Sequence, residues 1–197
     1  VRALGILKKI STFIQGVWVS SSDPANATIS ESGRLFTSIT SGSSMPAYVN
    51  RAKTTGKWFF AVELVSFSNN TFVYAVGVDT QATPNTSARG SAGQPNTTEY
   101  CYGKFLGSKK WVAGTPTAYG TLCVVGGDFV GISYDASTGE VRGYRWISGA
   151  WTDDGVITTL TAGTSCKPYV QCTGGATQSS VRLTSNKAAP SGFTMWA

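Results

Sequence analysis

Apolar and polar positions alternate with a period of two along much of the chain, most clearly between Gly127 and Ile147. Val130, Ile132 and Tyr134 alternate with Phe129, Gly131 and Ser133, which is the period of a strand. Asp135 to Gly139 reads as a tight reversal. Asp and Ser side chains bond back to their own backbone there, and Gly139 takes the positive φ that closes a hairpin with a bulge. Val141, Gly143, Arg145 and Ile147 then alternate with Arg142, Tyr144 and Trp146. A slip of one residue would turn Ile132 and Tyr134 to water. At roughly 1.5–3 kcal/mol for each large apolar side chain buried, burial fixes the register.

Shorter segments of the same kind flank this predicted hairpin. Upstream they are Val17–Ser20, Ala27–Ser30, Arg34–Ile39 and Ala47–Arg51, separated by Ser-Asp-Pro, Glu-Ser-Gly and Gly-Ser-Ser turn signals. Trp58 to Phe67 is apolar on both faces and predicts a central strand between layers. Glu63 interrupts it and requires either a solvated position or a basic neighbour, because a lone buried carboxylate is costly. Phe72–Val78, Cys101–Val112, Thr121–Val125, Val156–Leu160, Pro168–Cys172 and Val181–Thr184 follow, and Phe193–Trp196 closes the chain. Trp151 to Gly155 reads as a turn. Asp79 to Glu99 carries no periodic pattern, as functional or mobile loops do.

One stretch departs from the period of two. Leu4, Leu7, Ile10, Phe13, Ile14 and Val17 fall at helical spacing, with Lys8, Lys9, Ser11 and Gln15 opposite. The pattern divides the chain into an N-terminal amphipathic segment, 1–17, and a β region, 18–197. The segment packs on its own sandwich, covers an open sheet edge, or anchors the domain to a larger assembly. Its basic content is too small to favour a membrane surface.

Four motifs in chain order carry a family resemblance. Gly127-Asp128 to Thr138-Gly139 resembles the Gly-Asp-x-Ile-Gly-x-x-x-Asp-x-x-Thr-Gly hairpin of SPRY domains. Gly56-Lys57-Trp58-Phe59-Phe60-Ala61-Val62-Glu63 is similar to that family's Gly-Lys-Trp-Tyr-Phe-Glu-Val-Glu strand. Tyr74-Ala75-Val76-Gly77-Val78 and Pro190-Ser191-Gly192-Phe193 match two further segments. The resemblance spans about residues 18–196. It implies an all-β fold, a two-sheet antiparallel β-sandwich of the concanavalin-like jelly-roll type, that binds proteins or peptides through its loops without a cofactor. Ala61 stands where the family has its first Glu. Arg145-Trp146-Ile147-Ser148-Gly149 replaces its Lys-Asn-Gly turn, so no family binding residue is carried onto 145–151.

Composition agrees with a single β domain of 197 residues, long enough to bury a core without staples. Charged residues make up 13% and aromatic residues 12%. The net charge of +6 is spread along the chain rather than clustered, which argues against a nucleic-acid interface and fits a general attraction to acidic surfaces. Cys101, Cys123, Cys166 and Cys172 lack C-x-x-C spacing, and four reduced, mostly buried thiols are expected. Asn-x-Ser/Thr triplets at Asn26, Asn69, Asn85 and Asn96 are accounted for by the abundance of Ser and Thr. No apolar run is long enough to span a bilayer.

Histidine is absent. That removes Ser-His-Asp and Cys-His catalysis and most transition-metal sites. No phosphate-cradling glycine motif occurs. No pair of carboxylates is spaced on one strand for glycoside hydrolysis, and Asp153-Asp154 reads as a solvated turn rather than a calcium site. Neither catalysis, metal nor cofactor is expected. What remains is recognition. Trp111, Tyr119, Trp146 and Trp151 lie beside loops and, with Arg89, Lys109 and Lys110, form the candidate contact surface; hairpin or core packing is the alternative for each.

The resemblance extends to stand-alone SPRY-like modules of tailed-phage structural proteins, through Trp18-Val19-Ser20-Ser21-Ser22-Asp23 and the Ser/Thr/Gly-rich loops. The leading expectation is therefore a virion surface component, a head decoration, head fibre or tail-associated protein. It would be fixed through Leu4, Leu7, Ile10, Phe13 and Ile14 to capsid or tail proteins, or to further copies of itself. A host-surface protein or glycan would be its outer partner. The rivals are an intracellular adaptor that captures a peptide through the same loops, and a lectin-like module.

Overall fold

The computed structural model describes residues 16–20, 26–39, 44–66, 72–83, 95–105, 108–121, 127–173 and 178–196. Among the described residues fifteen strands follow in order: β1 (Trp18–Ser20), β2 (Ala27–Ser30), β3 (Leu35–Ser38), β4 (Ser44–Val49), β5 (Lys57–Ser66), β6 (Phe72–Asp79), β7 (Glu99–Phe105), β8 (Ser108–Val112), β9 (Thr115–Ala118), β10 (Phe129–Asp135), β11 (Glu140–Ile147), β12 (Ala150–Thr159), β13 (Lys167–Thr173), β14 (Ser179–Thr184) and β15 (Thr194–Met195). They form two antiparallel sheets. One runs β1-β4-β13-β6-β7-β8-β9 and the other β12-β11-β10-β5-β14-β3-β2, with β15 parallel to β5.

Alternation decides what fills the space between the layers. Val62, Leu64, Val130, Ile132, Tyr134 and Val141 of the second sheet meet Tyr74, Val76, Val78, Tyr102, Val170 and Cys172 of the first. β5 is central, as its two-sided apolar pattern predicts. Phe60, Val62 and Leu64 point into this core, while Phe59 and Ala61 on the other face join Tyr144 in a second buried cluster. Glu63 meets its basic neighbour: Arg182 on β14 donates to Glu63 at 2.6 Å and forks onto Glu31 at 2.7 and 2.8 Å.

The predicted hairpin forms in the predicted register, with Ile132 opposite Gly143 and Tyr134 opposite Val141. Its turn is built by Asp135. One carboxylate oxygen accepts the Ser137 amide at 3.0 Å and the Ser137 hydroxyl at 2.6 Å, and Gly139, at φ 77°, returns its amide to the Asp135 carbonyl. Lys57 lies 2.8 Å from the same carboxyl group. Lys57 and then Ser137 hold the Asp135 pKa below the usual carboxylate range. A depressed carboxylate pKa gives stability that is present above the unfolded value, about 3.9, and lost as pH falls through the folded one. Asp135→Asn should therefore flatten the loss of thermal stability on acidification below about pH 4, read as melting temperature against pH for both proteins.

Two expectations change, and one lies outside the described residues. The amphipathic segment, 1–17, falls largely outside the described residues, as do Leu4, Leu7, Ile10, Phe13 and Ile14, while the strand expected at Val17–Ser20 is β1. Cys101–Val112 is two strands of a hairpin, and a further strand, β9, follows at the sheet edge. Trp151 to Gly155 is strand, not turn. Among the described residues there is no helix, and none long and apolar enough to cross a membrane. Cys101, Cys166 and Cys172 are buried thiols, while Cys123 lies outside the described residues. Burial pushes the Cys166 thiol up to about 12 and raises Cys172 as well, so both stay protonated and unreactive.

Candidate recognition surface

The β11–β12 ribbon creates the local geometry. Its register shifts twice, between Val141 and Arg142 and between Gly143 and Tyr144, leaving Ile157 and Asp154 as extra residues on β12. Such bulges release ladder groups and turn side chains. The released groups are met from the facing sheet. Tyr102 donates to the Tyr144 carbonyl at 2.6 Å, Tyr119 to the Gly155 carbonyl at 2.5 Å, and Lys110 to the Val156 carbonyl at 3.0 Å. Tyr119 also accepts the Gly143 amide, and burial drives its pKa far above the ordinary tyrosine value, so it stays a donor. The second bulge turns Asp154 inward, where Arg145 forks onto its two oxygens, Nε donating to one at 2.7 Å and Nη2 to the other at 2.6 Å. Fork geometry of this kind gives a strong, directional pair.

Beyond the bulges the ribbon ends in a two-residue turn, Ser148 at φ 50° and Gly149 at φ 89°, with Ile147 opposite Ala150 and Trp146 opposite Trp151. Positive φ at both positions is the type I′ connection that matches strand twist. The cross-strand indoles pack edge to face with centroids 5.1 Å apart, and Trp151 continues onto Phe59 at 5.0 Å. Residues 185–193 cross over this outer face. The Trp151 indole donates to the Ala188 carbonyl at 2.8 Å, and Ala189, Phe193 and Met195 close over Phe59, Ala61 and Tyr144. Lys187 places its ammonium 4.7 Å from both the Phe129 and Trp146 rings. Phe129, Trp146, Trp151 and Lys187 remain half-exposed, and Ile147 at the tip is 42% exposed.

Of the sequence-predicted surface residues, the structure joins Trp146 to Trp151 in one pair and Lys110 to Tyr119, ammonium 5.4 Å from ring, in another. Trp111 is fully buried with Ala75, Cys101 and Tyr169 on the outward side of the first sheet. Lys110 and Tyr119 bridge the two sheets. Lys109 is half-buried on β8, and Arg89 lies outside the described residues. Phe129, Ile147 and Lys187 were not anticipated. Phe129 and Ile147 occupied their strand positions unremarked, and nothing in the Ser185-Asn186-Lys187-Ala188 segment indicates which strand it crosses. Among the described residues no group of three or more His, Cys, Asp or Glu is placed to hold a metal. The sequence has no histidine, and Asp135, Glu140, Asp153, Asp154, Glu31 and Glu63 are each tied to Lys or Arg.

No family model and no curated protein matches the sequence. Solved structures do. The SPRY domain of human HERC1 is similar at 14% identity, over 85% of this chain and 99% of that one, with a TM-score of 0.63. The fold is that of a SPRY-like β-sandwich. The TRIM65 PSpry domain is similar at 11% identity over 81% and 85% of the two chains, TM-score 0.58. Stonustoxin is similar at 12% identity, over 86% of this chain and 27% of its own, TM-score 0.59. These neighbours overturn the expectation of a virion surface component with capsid or tail partners and a place in the virion: they are SPRY domains and a toxin, not phage structural proteins. Of the Trp18–Asp23 run behind that expectation, Trp18–Ser20 is β1, and Ser21, Ser22 and Asp23 lie outside the described residues.

Proposed function

We propose that this SPRY-like sandwich is a non-catalytic module that binds a protein or peptide through the tip of the β11–β12 ribbon. The observation that carries the reading is the cluster of Trp146, Trp151 and Phe129 on one face of the ribbon, with Ile147 on the other face of the same tip, apolar yet open to solvent at one end of a stiff ribbon bridged three times from the facing sheet. Half-exposed aromatic residues on a rigid support are the composition of interface hot spots, because they offer area at little ordering cost. The bridges from Tyr102, Tyr119 and Lys110 set the ribbon before a partner arrives. The low-identity neighbours support the fold on which this rests and leave the partner open.

Ile147→Asp and Trp146→Ala test it. Surface substitutions of this kind change stability by about 0.5 kcal/mol or little more, so both variants should keep the wild-type circular dichroism spectrum. In quantitative affinity purification from an extract of the protein's own cells, partners retained by the wild type should be lost by both. Equal retention would move recognition to another surface.

A further inference from the structure

The rim of the aromatic cluster is electrically specific. On the outer face of the second sheet, Arg182 and neighbouring Arg34 stand against Glu31 and Glu63, and Lys57 and Arg142 against Asp135, Glu140 and Asp153. Arg142 serves both Glu140 and Asp153, and Asp153 also accepts the Gly155 amide at 2.7 Å, so the surplus carboxylate there is held locally. Asp128, next to Phe129 in sequence, has interactions of its own. Lys187 differs: among the described residues it makes no ion pair, and its neighbours are two ring faces. Ring faces attract an ammonium but leave its charge and its N–H donors available to an anion. A ligand lying on Trp146 and Phe129 therefore meets one uncompensated positive charge beside its apolar contact.

We infer, building on the recognition surface proposed above, that the ribbon tip and Lys187 together take a linear peptide segment that sets an Asp or Glu beside a large apolar side chain. The apolar residue packs on Trp146 and Phe129, and the carboxylate pairs with Lys187 against the low-dielectric ring faces, where charge complementarity adds selectivity to burial. A basic segment would face Lys187 with like charge. A neutral apolar segment would leave it unpaired and partly desolvated, at a cost.

Selection of a random twelve-residue display library on the wild-type domain, followed by titration of synthetic hits, tests this. The enriched peptides should pair Asp or Glu with Leu, Ile, Phe or Trp. Lys187→Gln and Trp146→Ala should each weaken binding by about tenfold or more, with Lys187→Arg restoring most of it. Raising salt should weaken the wild type and leave Lys187→Gln nearly unchanged. Enrichment of basic or neutral peptides that are sensitive to Trp146→Ala but indifferent to Lys187→Gln would overturn the acidic assignment and leave the recognition surface standing. Peptides indifferent to both variants, or an empty selection, would overturn both. Sedimentation of the wild type as a dimer that Ile147→Asp dissociates would assign the patch to a second copy and overturn the inference.

Discussion

Trp196→Ala should lower the unfolding free energy by about 3–5 kcal/mol, the range of large aromatic truncations in cores. Trp196 is 5% exposed and closes one end of the sandwich. Its ring stacks on Tyr134 at 6.1 Å, meets Phe60 edge-on at 6.1 Å and Trp58 at 6.4 Å. Its indole donates to the Arg51 carbonyl at 2.8 Å, and its amide donates to Phe59 at 2.7 Å. Truncation opens a void among three rings that cannot collapse without moving β5, and it strands a carbonyl. Trp196→Phe keeps most of the volume and should cost distinctly less. Urea unfolding followed by tryptophan fluorescence and circular dichroism reads both; a loss under about 1 kcal/mol for the alanine variant would show that the end seals itself without this ring.

Gly139→Val should cost a comparable amount, about 3–5 kcal/mol, by a different route. The left-handed backbone at φ 77° is worth roughly 1–3 kcal/mol against a β-branched residue. A Cβ at this position would also fall on the Leu160 carbonyl oxygen, backbone that is itself fixed by the Leu160 amide bonding back to Gly139. Relieving that clash means opening the turn, with a further overpacking cost of about 1–3 kcal/mol. Gly149→Ala is the control. Its φ is 89°, but nothing lies within 4 Å of an added Cβ, so only the conformational part remains, about 1–2 kcal/mol. Equal losses at the two positions would mean that the steric part is negligible.

What was legible in the chain was whatever one face of one strand decides. The 127–147 hairpin, the two-sided β5 and the need of Glu63 for a base all follow from alternation and from the cost of burying charge. Trp111 takes the core role that its sequence leaves open: its neighbours Lys109 and Lys110 suggest a surface, while its burial depends on which side of the first sheet is covered. Trp151 to Gly155 was misread because Asp-Asp-Gly is turn chemistry, and a bulged strand uses the same residues to break its register. The pairing of Trp146 with Trp151 follows once the short turn is known, but Lys187 reaches its rings from 41 positions beyond Trp146, a distance over which pattern carries no signal.

The neighbours of β5 come from distant parts of the chain. One of its edges waits for β10, the other is shared between β14 and the parallel β15, and the cover over Phe59 is supplied by residues 189–195. During synthesis, a ribosome-bound chain must therefore carry Phe59 and Ala61 without their full cover for more than a hundred residues. Long-range pairing of this kind slows folding and leaves sticky intermediates. Nascent chains halted just before Phe193 should engage holding chaperones, and yield in cells should depend on them more than the finished domain's stability would suggest.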